Sequence, residues 1–103
     1  MTTLVELIPV LLEKSRAGKI EWEQLSSSSF IARIGDLIVE AASTQADTVI
    51  RLRSETNVVE SVGYQKTNPP EDQMILDLYE IARRKGLSID NTLENLKNVL
   101  DSL

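Results

Sequence analysis

FIARIGDLIVEAA, residues 30–42, holds a two-residue turn between segments in which apolar side chains alternate. Gly35 and Asp36 form a dipeptide typical of a tight hairpin, because glycine readily adopts the positive φ that such turns require. With the turn placed there, directly paired residues on one face are all apolar: Ile34 with Leu37, Ala32 with Val39, and Phe30 with Ala41. Turn chemistry and alternation therefore agree on an antiparallel hairpin of strands at about 30–35 and 37–42.

Three further segments carry the pattern of strands. Ile20 and Trp22 alternate with charged residues over about 19–25, and a similar alternation runs over 48–53. A fifth strand is predicted at about 58–64. Its facing is not determined by the pattern, because three of its apolar residues do not fall on one side: Val58, Val59 and Val62.

A helix is predicted before the strands, at about 4–17. Thr3 and Glu6 have the spacing of a capping box, and Gly18 stands where a left-handed residue ends a helix. Pro9 removes one helical hydrogen bond and crowds the preceding turn. We therefore expect this helix either to kink at Pro9 or to begin later.

Two helices are predicted after the strands, at about 70–85 and 90–103. Pro70 suits the first helical position, and Gly86 stands where the first of them would end. The second carries a narrow apolar stripe: Ile89, Leu93, Leu96, Val99, Leu100 and Leu103. The predicted fold is a single α+β domain over 1–103, with an antiparallel meander of about five strands, one N-terminal helix and two C-terminal helices. Helices are expected to cover one face of the sheet.

Composition restricts the chemistry that the chain can perform. The 103 residues include 16 acidic and 11 basic side chains, a net charge of -5, which disfavours binding to nucleic acid or to an anionic membrane. Histidine and cysteine are both absent, which removes the commonest general base, thiol nucleophiles and most ligands of transition metals. We expect no metal, no cofactor and no catalytic residue.

The N-terminal segment shows neither the cationic start nor the small-residue cleavage site of a secretory signal. Its apolar stretch is interrupted by Glu6, and no apolar run in the chain approaches the length that spans a bilayer. A cytoplasmic protein is expected.

Three consecutive cations, Arg83, Arg84 and Lys85, suggest two interpretations. They could bind phosphate, or they could stabilise the negative end of a helix dipole. Consecutive residues fan across roughly 200° of a helix surface and cannot all face one ligand. Glu80 precedes the first two by three and four residues, at the spacing of intrahelical ion pairs. The structural interpretation is therefore favoured.

A helix-turn-helix motif is a sharper alternative for the same region. Ala82 and Gly86, followed by an amphipathic helix, imitate its spacing. The following helix carries one basic and three acidic residues, and DNA would repel it: Lys97, with Asp90, Glu94 and Asp101. The motif also favours an apolar residue where Lys85 stands. DNA binding is not expected.

The hairpin register gathers a set of arginine and aliphatic residues on the sheet face opposite the predicted core. They are candidate partner-binding residues: Ile31, Arg33, Ile38, Val49, Arg51 and Arg53. Arginine beside desolvated aliphatic side chains is typical of protein interfaces. The alternatives are that a helix covers this face or that water solvates it.

The helices at about 4–17 and 70–85 have apolar residues over more than half of their circumference. Such a helix in a small domain is either unusually buried or in contact with another chain, and one sheet face cannot bury both helices completely. A homodimer would provide that contact.

Three short segments, GKIEW at 18–22, FIARIGD at 30–36 and LYEIARR at 78–84, resemble in this order a family of small bacterial proteins of uncharacterised function. The resemblance covers most of the chain and implies a short helix, a strand meander and two closing helices. It carries no activity, ligand or site residue with it.

Three classes of function follow from these patterns. The first is a non-catalytic interaction or regulatory module that binds a protein partner or a second copy of itself. The second is a small-ligand-binding or accessory subunit of an enzyme complex, with a pocket between helices and sheet near Trp22 and Tyr79. The third, an independent enzyme, would rely on carboxylate, tyrosine or lysine chemistry, for which the sequence offers no constellation.

Overall fold

The computed structural model describes residues 2–44, 47–64 and 69–103. A helix is followed by five strands in an antiparallel sheet of order β1-β2-β3-β4-β5, and two helices close the chain. The α+β meander expected from the sequence is therefore the observed fold. The elements are α1 (Leu4–Arg16), β1 (Glu23–Ser26), β2 (Ser29–Ile34), β3 (Leu37–Ser43), β4 (Thr48–Arg53), β5 (Val58–Gly63), α2 (Pro69–Gly86) and α3 (Ile89–Asp101).

The β2–β3 hairpin has the predicted turn and register. Gly35 has φ +62°, the left-handed conformation that glycine adopts without steric cost. The three predicted pairs are observed: Ile34 with Leu37, Ala32 with Val39, and Phe30 with Ala41. This register fixes which residues of the neighbouring strands share a face.

The core lies between one face of the sheet and the two helices α1 and α2. Each helix contributes residues spaced three or four apart, which align along one side of a helix. The core residues are Leu4, Ile8 and Leu12 from α1, Ile75, Leu78 and Ala82 from α2, Phe30, Ala32, Val39, Ala41 and Ile50 from the sheet, and Trp22. We call the opposite side of the sheet the outer face.

The start of α1 differs from the sequence prediction in two respects. Thr3 makes no side-chain capping bond, so the predicted capping box is wrong. The acceptor comes instead from β5, where Glu60 Oε2 accepts a hydrogen bond of 2.6 Å from the backbone N–H of Leu4. The helix also begins at Leu4 in spite of Pro9, so a later start is excluded.

The end of α1 follows the prediction. Gly18 has φ +75°, and its backbone N–H donates to the carbonyl of Ser15. The N–H of Lys19 donates to the carbonyl of Lys14, which completes a Schellman motif. Since Lys19 belongs to this cap, the strand predicted from residue 19 begins only at Glu23.

The facing of β5 is explained by a β-bulge. Leu52 pairs with Glu60 whereas Arg53 pairs with Val58, which leaves Val59 as an extra residue on β5. An extra residue reverses the alternation of side chains at that point. A single two-residue alternation therefore cannot describe the facing of all three valines in this strand.

The end of α2 corrects another prediction. Gly86 is the last helical residue and has no positive φ; the left-handed residue is Ser88, with φ 52°. A Cβ atom on Gly86 would stand 2.6 Å from Cδ1 of Phe30. Glycine is needed at this position because α2 approaches the sheet closely there, and not because the helix ends there.

Candidate functional site

The outer face brings together all six residues that the sequence singled out. One row across β2, β3 and β4 consists of Ile31, Glu40 and Arg51, each paired with its neighbour. The adjacent row consists of Arg33, Ile38 and Arg53. Val49 pairs with Ala42 in a third row. The two core helices pack on the opposite face. On the outer face Arg33 is exposed, Ile31 is buried at 7% exposure, and the other four candidate residues are half-buried. The interpretation in which either of these helices covers the outer face is therefore wrong.

Glu40 organises the charges on this face. Its side chain is almost completely buried, and one oxygen, Oε1, lies 3.3 Å from Nη1 of Arg53 and 3.5 Å from Nη1 of Arg51. Arg33 is exposed and forms no ion pair with any described residue. Together with Glu23, which pairs with Ile31 at the sheet edge, the face carries three cations and two anions. This surface is positive in a chain whose net charge is -5.

The guanidinium groups keep hydrogen-bonding capacity for another molecule. Arginine has five N–H donors, and Arg53 uses one of them on Glu40. Its Nε atom is buried and has no hydrogen-bond partner among the described residues, so only the terminal nitrogens of Arg53 can reach another molecule. Around these groups Ile38 and Val49 are half-buried, so aliphatic and cationic surface are interleaved. Such a surface can accept carboxylates and apolar side chains at the same time.

A second surface, which the sequence did not predict, is the apolar stripe of α3. No residue of this helix is buried. The exposed fractions are 52% for Leu93, 53% for Leu96, 57% for Val99, 58% for Leu100 and 93% for Leu103 just beyond the helix. The stripe itself is visible in the sequence, but its exposure is not, because a 3.6-residue period predicts an apolar face without specifying what covers it.

The shape of the molecule agrees with a projecting helix. The principal extents are 56 × 32 × 26 Å, and the radius of gyration is 15.0 Å. A compact domain of this length has a radius of gyration of about 13 Å. Because α3 packs mainly against α2, its stripe lies outside the core.

The charged residues of α3 are confined to one side of the stripe. At about 100° per residue, Asp90, Glu94, Lys97 and Asp101 fall on one flank, and asparagine and threonine occupy the other. Asp90 is partly neutralised by Arg84, whose Nη1 lies 2.9 Å from Oδ1. The charged flank nevertheless has a net charge of -2.

The cations at the end of α2 are engaged by the acids that the sequence indicated. Arg83 Nη2 lies 2.8 Å from Glu80 Oε1, and Arg84 Nε lies 3.4 Å from the same oxygen. The hydrogen bond from Arg83, with the nearby charge of both arginines, holds the pKa of Glu80 below its ordinary value, against the opposing effect of partial burial. These pairs support the structural interpretation of the cationic run.

The two aromatic residues proposed to line one pocket are not brought together in one. Trp22 lines a surface cleft of about 340 Å³ with Ile20 and Lys85, whereas Tyr79 packs against the core. Trp22 is buried, and its Nε1–H donates a hydrogen bond of 3.0 Å to Ser15 Oγ. Tyr79 meets Phe30 edge-on, with ring centroids 6.0 Å apart. An apolar groove of about 190 Å³ lies elsewhere, between α1 and the β2–β3 hairpin, and Leu7 and Leu37 form part of its lining. Its volume is below the roughly 300–1,000 Å³ of most small-molecule sites.

Among the described residues, no group of three or more acidic, histidine or cysteine side chains is placed to hold a metal ion. No helix in the described part of the chain is long and apolar enough to cross a bilayer. Comparisons with protein-family models, with curated proteins and with solved structures each find no match. The two surfaces described above are the basis for a functional proposal.

Proposed function

We propose that the protein is a non-catalytic interaction module that binds a protein partner, which can be a second copy of itself. The observation that carries this proposal is the exposure of the α3 stripe, in which every member from Leu93 to Leu103 is more than half exposed. An isolated helix of 13 residues is marginal in water, and most helical stability comes from packing an apolar face. A partner that covers the stripe would supply that packing.

The outer face supports the same proposal. Three arginines and the half-buried Ile38 and Val49 share this side of β2, β3 and β4, and Arg33 has no ionic partner among the described residues. Arginine is enriched in protein interfaces, where its planar group both stacks and donates hydrogen bonds. Binding of a protein partner accounts for such a surface, whereas the stability of the fold does not require it.

The experiment compares two double variants of the tagged protein. Each variant is recovered from its own cells together with its associated proteins, and the molar mass of the recovered complex is measured. In the first, Arg33→Glu and Ile38→Asp change the outer face without touching the Glu40 ion pairs. The matched control makes the same kinds of change on α1, at the exposed residues Val10 and Lys14, as Val10→Asp and Lys14→Glu.

We expect the first variant to lose its partner or its dimer mass while retaining a cooperative unfolding transition, and the control to keep both. Equal binding by both variants would show that the outer face is not the interface. A monomeric protein that recovers no other protein in stoichiometric amount would contradict the proposed function itself.

A further inference from the structure

We propose that α3 of one copy packs its apolar stripe against the outer face of a second copy, and that the exchange is reciprocal, giving a closed dimer. This inference rests on the proposed function and identifies the partner as the same chain. It depends on the two surfaces being complementary in charge, in apolar character and in length.

In the described part of the chain, the α3 stripe is left exposed and neither core helix lies on the outer face. The helix α2 packs on the core side of the sheet through Ile75, Leu78 and Ala82, and α3 continues from α2 after a connection at 87–88. The short connection keeps α3 close to the end of α2, and its main contacts are with that helix. The outer face is on the opposite side of the sheet, so only another molecule can bring a helix to it.

The charges of the two surfaces are opposite. The outer face has three arginines, and Arg33 has no ionic partner among the described residues. The charged flank of α3 has a net charge of -2, and its acids Glu94 and Asp101 form no ion pair with any described residue. Because this flank runs along one side of the stripe, a helix that lies stripe-down on the sheet brings its acids to one row of guanidinium groups. Arginine binds carboxylates in a paired, planar geometry, which would also fix the orientation of the helix.

The apolar parts have compatible lengths. The accessible aliphatic residues of the face are Ile38 and Val49, because Ile31 is buried at 7% exposure. Ile38 pairs with Arg53, and Val49 lies four residues from Arg53 on the same strand, so the two aliphatic residues are about 14 Å apart. From Ile89 to Leu100 the stripe rises eleven residues, about 16 Å, so it is long enough to reach both.

Reciprocity follows from the size of the contact. One short helix on one sheet is small beside the roughly 800 Å² that each partner buries in a stable interface. Two symmetric contacts double the buried area, and the same patch pair on both chains gives a closed two-fold dimer. A single, one-sided contact would leave one stripe and one sheet face free and would extend into open chains.

Pairing of α3 with α3 is a weaker alternative. In an antiparallel pair related by a two-fold axis, the equivalent flanks of the two helices lie on the same side of the interface. Both acidic flanks, each with a net charge of -2, would then face one another. Like charges in such positions oppose association.

Cysteine cross-linking tests the arrangement directly, because the natural chain contains no cysteine. Leu96→Cys marks the stripe, Ile38→Cys marks the outer face, and Val10→Cys marks the exposed side of α1 as a control. We expect a mixture of the Leu96→Cys and Ile38→Cys proteins to form a disulfide-linked dimer under mild oxidation, and neither protein to do so alone. Leu96→Cys mixed with Val10→Cys is expected to remain unlinked.

Charge exchange is an independent measurement that needs no oxidation. Arg33→Glu and Glu94→Arg are each expected to weaken dimerisation roughly tenfold, the effect of about 1.4 kcal/mol. In the mixed dimer, Glu94 of one chain meets Arg33 of the other, and the two substituted residues meet in the second contact with their charges exchanged. Mixing the two variants therefore restores both complementary contacts and is expected to recover dimers. Both residues are exposed, so folding should be unaffected.

Every other outcome overturns the inference. Cross-linking of Leu96→Cys alone would show α3 paired with α3, and a link to Val10→Cys would place the helix on α1. Masses that grow beyond the dimer would contradict reciprocity. A monomer at the highest attainable concentration would refute the self-association, while the proposed function would survive if a foreign protein were still bound through Arg33 and Ile38.

Discussion

Replacing Gly86 by alanine tests how closely α2 approaches the sheet. The new methyl group would stand 2.6 Å from Cδ1 and 3.3 Å from Cε1 of Phe30. Phe30 is fully buried, and its ring packs edge-on against Tyr79 with the ring centroids 6.0 Å apart. The ring therefore cannot move aside without displacing other core side chains.

Two opposing effects determine the size of the change in unfolding free energy. In an unobstructed helix, alanine is more stable than glycine by about 1 kcal/mol. Overpacking a dense core costs about 1–3 kcal/mol. The close contact makes the second effect larger, so we expect Gly86→Ala to destabilise the protein by about 1 kcal/mol.

Urea denaturation measures this change, and thermal unfolding should show a midpoint lowered by about 4–8 °C for a domain of this size. A Phe30→Val background, which lacks the δ carbon, provides the control. There Gly86→Ala should be neutral or stabilising by up to about 1 kcal/mol, which corresponds to a coupling of about 1–2 kcal/mol between the two positions. A stabilised Gly86→Ala protein in the natural background would refute the close approach of α2 to Phe30.

Three further predictions concern the core and the ion pairs. In urea denaturation, Glu60→Ala should lower the unfolding free energy by about 1 kcal/mol, because α1 loses its N-terminal hydrogen-bond acceptor. Glu60→Gln keeps an acceptor oxygen and should lower it less. Equal losses in the two variants would argue against that hydrogen bond. Ser15→Ala should cost about 1–3 kcal/mol by the same measurement, because the buried indole N–H of Trp22 loses its acceptor, and an unchanged urea midpoint would contradict this. The pKa of Glu80 is lowered in the folded state, chiefly by Arg83, so its contribution to stability is complete above its ordinary value of 4.5 and is lost as the pH falls through the lower folded value. Urea titrations at decreasing pH should therefore show a smaller acid-induced loss in Glu80→Gln than in the natural protein, and identical losses would exclude that role.

The sequence by itself determined the features that depend on neighbouring residues. Gly35 and the alternation around it specify the hairpin, and the hairpin register places Arg33 and Arg51 on one face. Gly18 specifies the end of α1, and the spacing of Glu80 from Arg83 specifies their ion pair. In each case the interacting groups are close in the chain or are connected by a regular two-residue or 3.6-residue period, so their geometry is fixed as soon as the local structure forms.

Only the tertiary structure decided the features that depend on how whole elements are placed. Glu60 caps a helix that begins 56 residues earlier, and Gly86 is required by a phenylalanine on β2. The exposure of α3 also depends on the placement of whole elements. The amphipathic pattern of residues 89–103 suits a helix that packs on the core of its own chain and equally one that packs on another molecule. A period in the sequence specifies which side of an element is apolar, but the surface that covers that side depends on the positions of all the other elements.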